Sequence, residues 1–143
     1  MTVNKAEFNK KVINDIKSYL SGREELEASY IFGSRASENY DKTSDFDIGI
    51  ITSPAMDKIE AYNFKLMLED ELIRKFGVEF DVVLFSNATI KMKHKIISGK
   101  LLTGKESKYR VTCEVKTIRK YLDMKPYYQT YYANMGGRFG EGE

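Results

Sequence analysis

Several residue types are scarce in this sequence of 143 residues, which contains one cysteine (Cys113), one histidine (His94), two prolines and no tryptophan. A single cysteine excludes an internal disulfide and a zinc site built from cysteines. A single histidine likewise excludes a histidine-rich metal centre. A metal ion bound by this chain would therefore be held mainly by oxygen ligands.

The sequence also lacks an excess of charge of one sign and any long apolar run. Its 23 Lys and Arg residues against 21 Asp and Glu leave a net charge of +2. This balance argues against a protein that coats nucleic acid, because phosphate binding needs many unopposed cations. No apolar run approaches the ~20 residues that span a bilayer, and residues 1–10 carry no signal-peptide segment. We therefore expect a soluble, cytoplasmic protein with no membrane association and no stable nucleic-acid binding.

The chain has the length of one domain, and a chain of this size buries roughly two thirds of its unfolded surface. It contains no internal repeat, and Gly, Pro and Ser do not cluster into a linker before the C-terminus. Residues 136–140 read Gly-Gly-Arg-Phe-Gly, which is typical of a frayed chain end. We predict a single domain at residues 1–135, followed by a flexible tail at 136–143.

Periodicity and turn residues predict an alternation of helices and strands. Ser53 followed by Pro54 is typical of a helix start, and Pro126 is expected to bend the last helix. With a short helix near Ser34, the pattern predicts an α/β (α+β) fold in which helices flank one small mixed sheet and a C-terminal helix follows. The predicted helices cover residues 4–20, 53–76, 88–98 and 106–135, and the predicted strands cover 28–32, 46–51, 78–85 and, as a short edge strand, 101–103.

Two aspartates lie two residues apart at the start of the second predicted strand. Side chains at this spacing project from the same face of a strand, so Asp45 and Asp47 present their carboxylates side by side. Phe46, Ile48 and Ile50 then face the core. A carboxylate pair on a strand made for burial lowers stability unless cations or hydrogen-bond donors satisfy it. Hard divalent ions such as Mg²⁺ suit such an oxygen-only site.

A third aspartate, Asp81, lies in the strand predicted at 78–85. Alternate apolar residues fill one face of this strand, so Asp81 lies on the opposite face together with Glu79. If the two strands are neighbours, three carboxylates surround one or two Mg²⁺ ions. Two ions about 3.5–4 Å apart hold the attacking and leaving oxygens of a phosphoryl displacement. Two other interpretations stay open: Glu79 takes the place of Asp81, or Asp81 only meets solvent at a sheet edge.

A glycine and a serine, Gly33 and Ser34, join the first predicted strand to the short helix. Glycine lets the backbone approach an anion closely, and unpaired amides at a helix start attract phosphate. Ser34 adds a hydroxyl donor, and Arg35 is either a further phosphate contact or a surface arginine. These residues predict that the substrate is a metal-bound triphosphate whose distal phosphates rest on the turn.

The combination of Gly33-Ser34, Asp45-x-Asp47 and Asp81 resembles the nucleotidyltransferases of the DNA polymerase β superfamily, in particular the minimal nucleotidyltransferases called MNT. Residues 121–126, Tyr-Leu-Asp-Met-Lys-Pro, are also similar to the C-terminal helix of MNT antitoxins, which are paired with HEPN-domain ribonuclease toxins. The resemblance covers most of residues 25–130.

The resemblance implies that Asp45 and Asp47 ligate two Mg²⁺ ions, while Asp81 ligates the catalytic ion and helps to deprotonate the acceptor hydroxyl. Gly33 and Ser34 would bind ATP, with Arg35 as an added candidate. The implied activity is transfer of AMP from ATP to a hydroxyl, expected to be a tyrosine, of a HEPN toxin. The protein would then be an antitoxin that forms a hetero-oligomer with its toxin. Because this chain lacks the Arg-x4-6-His motif of HEPN ribonucleases, the toxin must be a separate protein.

Several alternatives stay open on the sequence alone. A binding module would neutralise the toxin by complex formation without catalysis, and the tyrosine-rich segment 127–132 favours such docking. A nucleotidyltransferase of the aminoglycoside type would modify a small molecule, but residues 86–143 are short for its extra helical domain. Modification of a tRNA end is a further alternative. The basic run Lys91–Lys95 is either a solvated helix face or a patch for phosphate or RNA.

Overall fold

The computed structural model describes residues 5–36 and 45–138. In these residues, four α-helices and four β-strands confirm the predicted fold class. A turn of 3-10 helix at Gly33–Ala36 follows the first strand, as the expected short helix, and a second at Phe85–Asn87 follows the third. The elements are α1 Lys5–Leu20, β1 Leu26–Phe32, β2 Phe46–Thr52, α2 Lys58–Phe76, β3 Phe80–Leu84, α3 Ile90–Ile97, β4 Lys100–Gly104 and α4 Lys108–Arg138.

The four strands form one mixed sheet in the spatial order β3-β2-β1-β4. β1 pairs antiparallel with both β2 and β4. β2 and β3 run parallel, because α2 crosses over between them. β4 is therefore the edge strand expected at 101–103. The arrangement also makes β2 and β3 neighbours, which is the condition on which the prediction of three grouped aspartates depends.

One face of the sheet carries the main core. Phe46, Ile48 and Ile50 of β2 are fully buried on this face, as the two-residue period of a strand requires. α1 adds the fully buried Ile16, and α2 adds one apolar stripe. Burial of each large apolar side chain stabilises the fold by roughly 1.5–3 kcal/mol, so this face holds the strands in register. The stripe of α2 consists of Ala61, Phe64, Leu68 and Leu72.

α2 begins later than the sequence predicted. Its N-cap is Asp57, whose carboxylate accepts the Glu60 N–H at 2.8 Å while the Glu60 carboxylate accepts the Asp57 N–H at 3.0 Å. The helix start predicted at Ser53 and Pro54 was wrong. The Ser53 carbonyl instead accepts the N–H of Met56 and closes a turn ahead of the helix. The reciprocal pair satisfies two backbone donors at the helix start, whereas a serine cap satisfies one.

α3 and α4 cover the opposite face of the sheet. α3 packs on β2 at Gly49, where a Cβ atom would lie 2.4 Å from Cγ2 of Ile96. The absence of a side chain at Gly49 lets Ile96 reach the sheet and become fully buried. α4 is tied to β1 by a hydrogen bond from the Tyr30 hydroxyl to the Glu114 carboxylate, which also pairs with Arg110 at 3.3 Å. These contacts hold two helices over the face that carries the odd-numbered residues of β2.

α4 runs through Pro126 and ends at Arg138, beyond the domain boundary predicted at 135. The remainder of the predicted tail, residues 139–143, lies outside the described residues, so the boundary stays a prediction. None of the helices in the described part of the chain is long and apolar enough to cross a membrane.

Gly49→Ala is expected to lower the free energy of unfolding by about 1–3 kcal/mol, because the new methyl group would overlap Ile96. Urea unfolding of the two proteins measures the change. In an Ile96→Ala background the same substitution should lower the free energy of unfolding much less, because the isoleucine side chain that overlaps the new methyl group is absent. Equal costs in both backgrounds would show that Gly49 is not what lets α3 lie on the sheet.

Candidate active site

The glycine that follows β1 lies directly under a carboxylate. Phe32 at the end of β1 pairs with Asp47 on β2, and the chain then turns at Gly33, whose φ is +76°. A Cβ atom at Gly33 would lie 2.4 Å from Oδ2 of Asp47. The positive φ and the close approach both favour glycine. The Asp47 carboxylate therefore rests on the backbone of the turn, next to the half-buried Ser34.

β3 places a second carboxylate beside the first. The parallel register pairs Asp81 with Asp47, so the two side chains share a face of the sheet. Glu79, the alternative considered from the sequence, precedes β3, and its carbonyl accepts the Phe46 N–H at 3.0 Å. The structure thus brings Asp81 rather than Glu79 opposite Asp47.

The aspartates act on one another electrostatically. Burial raises the pKa of the half-buried Asp47 carboxyl, and the negative charges of Asp81 and Asp45 raise this pKa further. The positive charge of Lys95 on α3 acts in the opposite direction. Asp45 and Asp81 are themselves exposed. The negative charges of the three aspartates therefore repel one another around Asp47, and the positive charge of Lys95 is close enough to offset part of this repulsion.

The aspartates suit a hard metal ion by their chemistry. Within residues 5–36 and 45–138, no three carboxylate, imidazole or thiol groups stand close enough together to hold a metal ion as they are. Asp45 and Asp81 are exposed, so rotation of their side chains costs little packing energy. Three carboxylates form an oxygen-only donor set of the kind that Mg²⁺ takes. A bound cation would also relieve the repulsion that raises the pKa of Asp47.

Arg35 is buried, whereas the sequence predicted either a phosphate contact or a surface arginine. The residue is buried at 2% exposure, with its guanidinium 4.4 Å from the ring centre of Phe46. Its Nη1 donates to Oδ1 of Asn9 at 3.1 Å, and Nδ2 of Asn9 donates to the Arg35 carbonyl at 3.2 Å. Phe46 belongs to the core face, whereas Asp47 lies on the other. Through these contacts Arg35 stabilises the turn from the core side, and they do not support its predicted contact with phosphate.

The basic run of α3 faces a cleft at the edge of this site. Lys91, His94 and Lys95 line a cleft of about 540 Å³ together with Gly33. The His94 ring stacks on Tyr121 of α4, with ring centres 3.7 Å apart and planes within 3°. From the sequence alone this run is either a solvated helix face or a patch for phosphate or RNA, and in the structure Lys91 and Lys95 are exposed. Their i, i+3, i+4 spacing sets the three side chains on one face of the helix.

A comparison with family models matches residues 14–108 to the family described as polymerase beta, nucleotidyltransferase. The matched segment contains the glycine turn and all three aspartates. The chain therefore belongs to the polymerase beta nucleotidyltransferase family, as the sequence resemblance implied.

Three solved structures that share this fold are toxin-antitoxin complexes. A toxin-antitoxin structure with AMP-PNP contains a chain that is 22% identical, with a TM-score of 0.65 over 87% of this chain and 97% of that one. A tri-AMPylated HEPN toxin of Shewanella oneidensis in complex with MNT antitoxin contains a chain 21% identical, with a TM-score of 0.62 over 89% and 98%. A MntA-HepT complex gives 20% identity and a TM-score of 0.59 over 90% and 97%. A comparison with curated proteins finds no match. At these identities the likeness establishes the fold.

Asp47→Asn is expected to raise the midpoint of thermal unfolding by about 2–4 °C at neutral pH without divalent ions, the size typical of a stabilising substitution in a domain of this length. It removes a charge that burial and two neighbouring carboxylates disfavour. Because the folded-state pKa of Asp47 is raised, its ionisation destabilises the fold above the ordinary aspartate pKa. The penalty fades as the pH falls and the carboxyl takes up its proton.

The control is Asp123→Asn, which changes an exposed aspartate on α4 and should leave the midpoint unchanged. The difference between Asp47→Asn and the unchanged protein should shrink on lowering the pH from 7 towards 4. If Asp47→Asn is no more stable than the control at neutral pH, the carboxylates do not repel one another in the folded protein.

Proposed function

We propose that this protein is a Mg²⁺-dependent nucleotidyltransferase that moves AMP from ATP to a tyrosine hydroxyl of a cognate HEPN toxin and so acts as an antitoxin. The observation that carries the proposal is the carboxylate of Asp47 seated on the backbone of Gly33, with Asp81 paired beside it. This places a group that favours cations next to a turn that favours phosphate. Membership of the nucleotidyltransferase family supports the reaction type.

In the proposed reaction, the acceptor hydroxyl oxygen forms a bond to the α-phosphorus of ATP. The bond from that phosphorus to the oxygen bridging to the β-phosphate breaks, and pyrophosphate leaves with the electron pair. The hydroxyl proton passes to the carboxylate of Asp81. Asp81 is exposed and lines a cleft of about 420 Å³ that Tyr62 and Met92 share, so an acceptor side chain can reach it.

The remaining roles follow from position. Asp45, Asp47 and Asp81 would hold Mg²⁺, which supplies positive charge that polarises the phosphate oxygens. Gly33 lets the triphosphate approach the backbone, and Ser34 offers a hydroxyl donor at the same turn. Removal of the Asp47 charge would therefore weaken the binding of both the metal and the nucleotide, even though it relieves the repulsion among the carboxylates.

Support for the partner comes from the structural relatives and from α4. The three relatives described above are toxin-antitoxin complexes, and one holds an AMPylated HEPN toxin. On α4, Ile118 and Leu122 are 44% and 58% exposed, and Tyr127 and Tyr131 are 73% and 57% exposed. Exposed tyrosines and aliphatic side chains on one helix are typical of a protein interface. A toxin that docks here would bring its acceptor to the same molecule that holds ATP.

The transfer is tested by incubating the purified protein with ATP, Mg²⁺ and its cognate HEPN-domain toxin. Intact-mass spectrometry should show the toxin heavier by one or more AMP groups, located on tyrosine by peptide mapping. The double variant Asp45→Asn, Asp47→Asn should reduce the rate by about 100-fold or more, because it removes charge at the reacting phosphate. Asp70→Asn, which changes an exposed aspartate on α2 paired with Arg74, should retain the rate.

Two outcomes would contradict the proposal. If the double variant neutralises the toxin in cells as well as the unchanged protein, the chain is a binding module and the carboxylates are not needed. If AMP appears only on RNA or on a small molecule added to the reaction, the chemistry stands and the proposed acceptor is wrong.

Gly33→Ala and Gly22→Ala form a matched pair that isolates the role of the turn. Both glycines have positive φ, +76° and +79°, so both substitutions should lower stability by about 1–2 kcal/mol. A Cβ atom at Gly22 meets nothing within 4 Å, whereas at Gly33 it meets Oδ2 of Asp47. Only Gly33→Ala should therefore lower the rate of AMP transfer, by about tenfold or more. Equal rates for the two variants would show that the carboxylate does not depend on the turn.

A further inference from the structure

β3 lies at an edge of the sheet, and its outer side forms the floor of the cleft that contains Asp81. Within residues 5–36 and 45–138, β3 pairs with β2 and with no other strand. The walls of the cleft come from α2 on one side and from residues 87–92 on the other. A strand edge between two such walls is a groove in which an extended chain can lie as a further strand. The lining consists of Tyr62, Lys65, Asp81, Val82, Val83, Leu84, Asn87, Ala88, Thr89 and Met92.

The main chain of β3 shows where such a chain would bind. The Phe46 N–H donates to the Glu79 carbonyl at 3.0 Å, and since the residues of a strand alternate in direction, the main chain of Asp81 also points to β2. Val82 points away from β2, and its N–H donates to Oε2 of Glu69 at 2.8 Å. This is the length of a main-chain hydrogen bond. The Glu69 oxygen therefore occupies the place that a carbonyl oxygen of an added strand would take.

Glu69 is a removable cap on this edge. Its carboxylate also lies 3.9 Å from Nζ of Lys65, and the two side chains are 23% and 22% exposed. A partly exposed ion pair between residues four apart on a helix contributes little to stability. Rotation of the Glu69 side chain therefore frees the Val82 N–H at small cost. Until a partner arrives, the cap protects the edge from unspecific strand pairing.

The surroundings of the groove favour a polypeptide over a nucleic acid. Tyr62 is 51% exposed, and Ile59 and Leu66 continue its face of α2 at 74% and 41% exposure. The charged residues among the described lining are one lysine, Lys65, and one aspartate, Asp81. Phosphate binding needs cations that no carboxylate opposes. Apolar side chains beside main-chain donors instead suit a protein segment.

We infer that the acceptor protein binds through an extended segment that adds to the outer edge of β3 and so presents its tyrosine to Asp81. The inference rests on the proposed function for the identity of the acceptor. Residues opposite one another on neighbouring strands project from the same face, and neighbouring strands lie about 4.8 Å apart. The residue opposite Asp81 therefore projects from the face that carries Asp81 and Asp47. Its two neighbours project from the other face, so strand register selects which residue receives AMP.

Hydrogen exchange of the Val82 amide, followed by NMR without nucleotide, tests the inference apart from catalysis. In Glu69→Ala this amide loses its carboxylate partner, so it should exchange faster than in the unchanged protein. Addition of the cognate HEPN-domain toxin should then slow its exchange by about tenfold or more, as expected for a new hydrogen bond. The Val83 amide points to β2 and is the internal reference, whose exchange should change by less than about threefold.

The affinity for the toxin, measured by titration calorimetry, is the second readout. Glu69→Ala should tighten binding by about 3-fold to 10-fold, the worth of one net hydrogen bond, because the added strand no longer displaces the carboxylate. Glu69→Gln keeps an acceptor oxygen and should stay within about twofold of the unchanged protein. Asp70→Ala, on the same helix but outside the cleft and paired with Arg74, is the control and should also leave the affinity unchanged. The unfolding midpoint of each variant checks that it is folded.

The outcomes separate this inference from the proposed function. If the toxin leaves the Val82 exchange in Glu69→Ala unchanged, or if Glu69→Ala binds the toxin no more tightly than Glu69→Gln, the inference is wrong whether or not AMP is transferred. If the toxin slows the exchange but receives no AMP, the strand pairing stands and the proposed function falls. If higher protein concentration or a single-stranded RNA slows the exchange without toxin, the edge binds a second copy or RNA and the inference is overturned.

Discussion

The contact on which the site depends is the approach of the Asp47 carboxylate to the backbone of Gly33. It requires two conditions at once. The antiparallel register of β1 and β2 must set Phe32 opposite Asp47, and the chain must leave β1 with a positive φ. A side chain at residue 33 would occupy the place of the carboxylate oxygen. The turn that favours phosphate and the group that favours a cation are thus one structure.

One face of the sheet carries the main core that stabilises the fold, and the other carries the aspartates of the candidate site. The even-numbered residues of β2 are buried among α1 and α2, and their burial offsets the repulsion among the carboxylates on the other face. On that other face, Gly49 leaves room for α3 to lie on the sheet. The carboxylates therefore keep their positions because the strands that carry them pack against α1 and α2 on the opposite face. This is the arrangement expected where function lowers stability locally.

Local sequence patterns predicted much of the sheet and of the candidate site. The alternation in β2 correctly identified Phe46, Ile48 and Ile50 as core residues, and the parallel pairing of β3 places Asp81 where the strand pattern expected it. The start of α2 was misjudged because two capping signals lie close together in the sequence. Asp57 and Glu60 make the reciprocal pair, and local preference alone did not rank them above Ser53.

The sequence by itself determined the strand faces, the Asp45-x-Asp47 pair and the glycine turn, because these follow from a period of two and from backbone freedom within a few residues, whereas the pairing of β2 with β3 decided for Asp81 over Glu79. Tertiary structure alone decided that Arg35 is buried against Phe46 and Asn9, and that the lysines of α3 border the turn. Both outcomes depend on distances between elements far apart in the chain. Those distances are set by strand register and by the close packing of Ile96 on Gly49, which no local pattern encodes.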